Sequence, residues 1–248
     1  MKMHLGILFA VLLWSSGGLA QTLKIATLAP EGSIWMVEMR AGAKVIESRT
    51  EGRVKFRFYG GGVQGNDNQV RRKMRIGQLH GATFTSGTLG EFVADTEVYA
   101  LPLTFNNMDE VLYVRERMDS KIRQLLEDNG QVNFGIAGAG VGYLMSNEPI
   151  QRLDDMSGQK TWVQEGDEIA YGAFKSLGIS PVTMPLTDVL TGLQTELLDS
   201  VSVSPVGAVV LQLHTKLKYI TDLQLSYVYG ALIIDLSLIH ISEPTRLQ

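Results

Sequence analysis

Twice along this chain, segments of two-residue apolar period alternate with segments of helical period in the order strand, helix, strand, helix, strand. That order restricts a 248-residue chain to few architectures, because parallel strands need helical crossovers and the helices must then cover the sheet. The first run has strands at Leu23–Leu28, in RVKFRFY and at Ala82–Phe84, and helices at Ser33–Arg49 and Asp67–Ile76. In RVKFRFY, Val54, Phe56 and Phe58 face one way while Arg53, Lys55 and Arg57 face the other, as in a half-buried strand. Trp35, Met39, Gly42 or Ala43, and Ile46 share one face of the first helix. The second run, Gln159 to Pro205, has strands at Lys160–Gln164, Pro181–Met184 and Asp199–Val203, with helices at Glu168–Leu177 and Thr187–Leu198. Two such units indicate two α/β lobes rather than one continuous sheet.

Helix punctuation supports this division. Gly178 is placed to end one helix, and Thr187, with Asp188 in the first turn, to cap the next. Between the units a long helix, Met108–Asp128, has Asn107 as its cap, Asp109 and Glu110 in its first turn and Gly130 just past its end. A strand at Val132–Gly138 and the segment AGVGYLMSN lead to the second unit, with the crossing near Val141 to Met145. A helix at Val206–Lys216 and a strand-like run at Leu223–Ile234 follow. GAGVG, residues 138–142, lacks the third glycine of a dinucleotide-binding turn and opens no helix, so it reads as a hinge at Gly140, Gly142 and Tyr143. Gly60–Gly62 reads as a turn that needs positive φ.

The chain opens with Lys2, an apolar run from Leu5 to Trp14, and Gly18 and Ala20, the pattern of a secretory signal peptide cleaved after Ala20. The apolar run is well short of the roughly 20 residues that span a bilayer. Export is therefore expected. The absence of cysteine means that stability must come from burial without disulfides. A net charge of −4 argues against nucleic acid as a partner, and the basic cluster Arg71, Arg72, Lys73 and Arg75 reads as a solvated helix face. His80 and His214 have no metal-type neighbours, and FTSGTLG lacks the first glycine of a nucleophile elbow. No catalytic residue, metal or cofactor is expected, and the chain is not read as an enzyme.

In open α/β sheets, ligands collect beyond the carboxyl ends of the strands. That rule selects Glu31 and Trp35 after the first strand and Thr85, Ser86 and Thr88 after the third. In the second unit it selects Gln164, Glu165 and Asp167, the acidic pair having helix capping as its alternative role, and Ser202 and Ser204 with the segment Val203–Pro205.

The succession LKIATLAPEGSIW, YGGGVQGNDNQVRRKMRIGQLHGA, YALPLTF and LGISPVTMPLTDVLTGLQTELLD resembles the solute-binding proteins of TRAP (tripartite ATP-independent periplasmic) transporters, from Leu23 to Asp235. The resemblance implies a two-lobed periplasmic binding protein fold of type II-like α/β architecture, each lobe a mixed sheet flanked by helices. It also implies a monomeric receptor that closes on a small ligand, usually an organic acid, and delivers it to integral-membrane TRAP permease subunits. A periplasmic receptor that senses a ligand for a signalling partner has the same fold. Two departures concern the ligand. Where most relatives carry an arginine that grips the ligand carboxylate, this chain has Trp162, either as lobe packing or as an aromatic wall for the ligand. Ser200, Ser202 and Ser204 follow Asp199 where relatives have glycine and larger polar or aromatic residues.

The expected division is a signal peptide at 1–20, lobe I at 21–143, lobe II at 144–226, and a return strand toward lobe I at 227–235. Residues 236–248 form a tail in which LSLIHISEPTR resembles a translated sequencing adapter, so the fold is expected to be incomplete at the C-terminus.

Overall fold

A computed structural model describes residues 20–239. The signal-peptide reading of residues 1–20, save Ala20, and the tail from residue 240 onward lie outside the described residues. The chain starts with β1 (Gln21–Ala26), α1 (Ile34–Arg49), β2 (Val54–Tyr59), α2 (Asp67–Arg75) and β3 (Gly81–Thr85). Both β2 and β3 run parallel to β1, as their helical crossovers require. Ser33 caps α1 by accepting from the Met36 N–H, and Asn66 opens α2 in a reciprocal capping box with Gln69. The face expected to bury on α1 is rotated: Met36 is buried, whereas Ile46 remains 40% exposed.

After β3 come a one-turn α3 (Ser86–Leu89), a 3-10 turn Ala94–Tyr99, and α4 (Met108–Asp128), whose ends match those read from the sequence. Asn107 accepts from the Glu110 N–H at 3.0 Å, and Gly130 follows the helix at φ +76°. Two further strands, β4 (Gln131–Val132) and β5 (Ile136–Ser146), precede β6 (Thr161–Gln164), α5 (Glu168–Ser176) and β7 (Val182–Met184). The remainder is α6 (Val189–Gln194), β8 (Ser200–Val203), α7 (Pro205–Val210), β9 (Tyr219–Asp235) and α8 (Leu236–Ile239).

The strands form one hydrogen-bonded path, β2-β1-β3-β9-β5-β8-β6-β7, with β4 on β9. Two parallel triplets, β2-β1-β3 and β8-β6-β7, are therefore joined by an antiparallel pair, β5 and β9, where two unconnected sheets were expected. The reason is that both long strands serve both lobes. Gly230–Ile234 of β9 pairs with β3, while Tyr143–Ser146 of β5 pairs with β8. The expected boundaries at 143/144 and 226/227 fall inside these strands. The β5–β9 register breaks between Gly138 and Gly140, between Gly142 and Tyr143, and between Tyr143 and Met145; Gly140 takes φ +93°.

Each triplet has its own core. Ala26, Phe84, Tyr99, Ile122, Tyr229 and Ile233 belong to the first. Met145, Trp162, Val189, Leu198 and Val201 belong to the second. Arg115 of α4 braces the start of the crossing by donating to the Ile136 carbonyl at 2.6 Å and to Tyr227 Oη at 3.0 Å. Asp119 holds the same guanidinium and accepts from the Tyr99 hydroxyl at 2.6 Å. Burial and this carboxylate push the Tyr99 phenol well above its usual range, so it remains a donor.

Two expected helices are shorter than their apolar pattern. The segment from Thr187 begins as a 3-10 turn, Leu186–Asp188, and α6 ends before Glu196, which takes φ +59°. Thr187 is consequently not the cap: Pro185 precedes the turn, and the Thr187 hydroxyl donates to Asp188. The segment Val206–Lys216 breaks at Gln212, φ +59°, between α7 and a 3-10 turn at Leu213–Thr215.

Candidate ligand-binding crevice

The carboxyl ends of the two parallel triplets face one crevice. Leu28, Asn66, Asp67, Asn68, Thr88 and Glu91 line it from one side, and Gln164, Glu165, Pro185, Leu186 and Thr187 from the other. The lobes are close together, and a cavity of ≈ 10 Å³ remains between these walls, about the room of one water.

A polar seam spans the crevice. Gln164, the last residue of β6, places its Nε2 2.6 Å and its Oε1 2.8 Å from the Thr85 hydroxyl at the end of β3. The same amide nitrogen reaches Thr88 Oγ1 at 3.3 Å and Asp67 Oδ2 at 3.4 Å, and the Thr88 hydroxyl donates to that carboxylate. Burial raises the pKa of Asp67, reinforced by Glu91 and Glu165 and opposed by the Thr88 hydrogen bond and by Arg71. Arg71 itself is ion-paired with Glu91 and lies over the Phe92 ring at 5.1 Å. Further along, burial raises the pKa of Glu97, as do Asp167 and Glu168 of the opposite lobe. Burial likewise raises Asp167, against the hydrogen bond it accepts from the Ala170 N–H.

Glycines let the two faces approach. A Cβ at Gly87 would lie 3.0 Å from the Asp167 Cβ, one at Gly62 2.9 Å from the Thr187 methyl, and one at Gly166 2.9 Å from Glu91 Oε1. Gly61 and Gly62 take φ +63° and +72°, the backbone expected of that turn, whereas Gly60 does not.

Of the residues chosen from the sequence, Thr85, Thr88, Gln164 and Glu165 come together at the crevice. Ser86 is half-buried beside them as the first residue of α3. Asp167 caps α5, whereas Glu165 lines the crevice, so the acidic pair divides between the two roles considered for it. Glu31 and Trp35 stand apart from the lining: Glu31 is paired with Arg40 at 2.8 Å with its side chain 58% exposed, and Trp35 lies half-buried in α1. Ser204 is fully buried and its hydroxyl accepts from the Gly207 N–H, capping α7; Ser202 is half-buried in β8. Trp162 is placed as lobe packing, the first of the two roles considered for it. Its ring sits in the second core at 7% exposure, and its Nε1–H donates to the Met184 carbonyl at 2.9 Å, leaving it to pack and to tie β6 to β7.

Asn66, Asp67 and Asn68, which follow β2, and Pro185–Thr187, which follow β7, also line the crevice and were not among the residues chosen from the sequence. The rule that ligands gather beyond strand ends selects both segments once it is applied to every parallel strand. Among the described residues, no group of three or more His, Asp and Glu side chains is placed to hold a metal ion, and no helix is long and apolar enough to cross a membrane.

The model of the bacterial extracellular solute-binding proteins, family 7, matches residues 25–235. The sialic acid-binding periplasmic protein of Vibrio cholerae is 25% identical over 185 residues, which are 73% of this chain and 56% of that one. An uncharacterized protein of Salmonella typhimurium is 27% identical over 157 residues, 62% and 48% of the two chains. The chain spans about half the length of the curated relatives it matches. Among solved structures, a TRAP periplasmic solute-binding protein from Xanthobacter autotrophicus with bound β-D-galacturonate has a TM-score of 0.83 at 20% identity, over 90% of this chain and 74% of that one. Another from Sulfurospirillum deleyianum, with bound succinate, has 0.81 at 20% identity over 92% and 73%. Both share the two-lobed α/β fold.

Proposed function

This chain belongs to the bacterial extracellular solute-binding proteins of family 7, and on that premise we propose that it is a periplasmic receptor for a small organic acid, which it delivers to a TRAP-type membrane permease. The observation that carries the reading is the pairing of two strand-end walls with a polar seam that ends at Thr85 and Gln164. Such a seam holds the lobes together through few contacts, so a ligand that touches both walls selects the closed arrangement. Gly140, Gly142 and Tyr143 form the hinge: they lie where the β5–β9 register breaks, and positive φ at Gly140 favours glycine there. Lobe I is taken as 21–143, lobe II as 144–226 and the return strand as 227–235. The role is binding without turnover, and the receptor acts as an exported monomer.

The test is a panel of organic acids, including succinate, D-galacturonate and D-glucuronate, scored by thermal stabilisation and by compaction in small-angle scattering. At least one acid is expected to raise the melting temperature and shrink the radius of gyration while being recovered unchanged. Failure of every acid to do either would remove the receptor reading.

A further inference from the structure

The crevice is the site, and its walls set the charge that a ligand must match. Among the described residues that line it there are three carboxylates, Asp67, Glu91 and Glu165, and no lysine, arginine or histidine. Arg71 is the cation beside them, and it is already ion-paired with Glu91. That leaves Asp67 and Glu165 facing the crevice from opposite lobes with no cationic side chain in the lining to answer them. Asp67 touches only neutral donors, Thr88 and Gln164, and burial makes its charge costly there. The second small cavity next to Asp67, lined on one side by Thr27 and Gln64, also lacks a cationic lining residue among those described.

A solute carrying only carboxylates would bring more negative charge into this space. A carboxylate carried by an aminated solute would still have neutral donors, the side-chain amides of Asn66 and Asn68. We propose that the solute is an organic acid that also bears a protonated amine, whose ammonium group is held between Asp67 of lobe I and Glu165 of lobe II. This rests on the receptor reading and narrows it. An ammonium placed between walls on different lobes makes charge-assisted hydrogen bonds that exist only when the lobes are closed, so the same group supplies both specificity and closure.

The test uses matched pairs that differ by one amino group: succinate against aspartate, and D-gluconate against 2-amino-2-deoxy-D-gluconate, run beside the acid panel by calorimetry and scattering. The aminated member of at least one pair is expected to bind at least tenfold more tightly than its partner and than every nitrogen-free acid. Glu165→Gln, at an exposed position, and Asp67→Asn are each expected to weaken that aminated probe at least tenfold, as loss of a charge-assisted hydrogen bond implies. Both variants should leave the melting temperature of the free protein within a few degrees, which separates lost recognition from lost folding. Tighter binding by a nitrogen-free acid overturns the inference and leaves the receptor reading standing. Amine preference that survives both substitutions also overturns it, and silence from every acid and every aminated acid overturns both.

Discussion

Where β5 and β9 cross, the lobes are joined by main-chain pairing that runs from Ile136 to Ser146 on one strand and from Tyr219 to Ala231 on the other, braced by the part-buried Arg115–Asp119 pair and the buried Tyr99. Across the crevice they are joined by the Thr85–Gln164 pair, by glycines that touch side chains, and by carboxylates that face one another. The first junction pairs main-chain groups along both long strands and buries Tyr227 and Tyr229. The second holds few hydrogen bonds and gathers like charge, so its net stabilisation is small. A two-lobed receptor needs both kinds of junction: one that never opens, and one near enough to balance that a ligand can tip it.

The largest effect is expected from Gly81→Ala in the permanent part of the sheet. A Cβ there would lie 2.4 Å from the Ile233 carbonyl oxygen, a main-chain atom of β9 that cannot swing aside. Overpacking of this kind costs about 3 kcal/mol, and the loss is expected as a lower denaturant midpoint for the whole domain. A midpoint within experimental error of the parent would show that β3 and β9 are less tightly paired than the register implies.

Gly87→Val strikes the reversible junction instead. Its Cβ would lie 3.0 Å from the Asp167 Cβ, and the three atoms nearest to it all belong to that residue of the opposite lobe, so the closed arrangement would lose roughly 1–3 kcal/mol. The expected signature is a larger radius of gyration with little change in denaturant midpoint. The reverse, an unchanged radius and a lower midpoint, would place Gly87 in the fold rather than at a moving contact.

The division between these junctions also marks what the sequence disclosed. The parallel triplets and α4 with both its ends were legible because periodicity and caps are local signals. Single-sheet continuity was not, since the pairing of Gly230 with Thr85 and of Tyr143 with Val203 joins positions far apart in sequence. The capping role of Ser204 was legible too, since Pro205 at the first helical position marks the residue before it as a cap. Trp162 was ambiguous for a physical reason: the adjacent apolar residues Trp162 and Val163 point to opposite faces of β6 and both are buried, so the pattern does not distinguish a core face from a crevice face. The close approach at Gly87 depends on the opposite lobe, so nothing local to it could have signalled it.

A smaller effect is expected from the seam itself. Thr85→Val and Gln164→Leu should each loosen closure, and the double variant should lose less than the sum, with a coupling of about 1 kcal/mol. Strict additivity in the cycle would mean that the two side chains meet without contributing to closure.

The smallest effect tests the carboxylates, and its sign follows from burial. Asp67 and Glu97 on one side of the seam and Asp167 on the other all have raised pKa values, in each case chiefly because burial disfavours the charged form. Opening the crevice rehydrates them and returns them toward the ordinary carboxylate range near about 4. The closed arrangement of the free protein therefore binds more protons than the open one. The closing contribution of these groups is fully present below the ordinary range and is lost as pH rises through the raised values. Arg71 offsets part of this at Asp67, and solvent screens Glu97, so the change is modest. Scattering of the free protein from about pH 4 to about pH 8 should show the radius of gyration increasing with pH, and Asp67→Asn with Glu97→Gln should flatten that dependence. Compaction on raising the pH would mean that a favourable ion pair, rather than buried like charge, governs the seam.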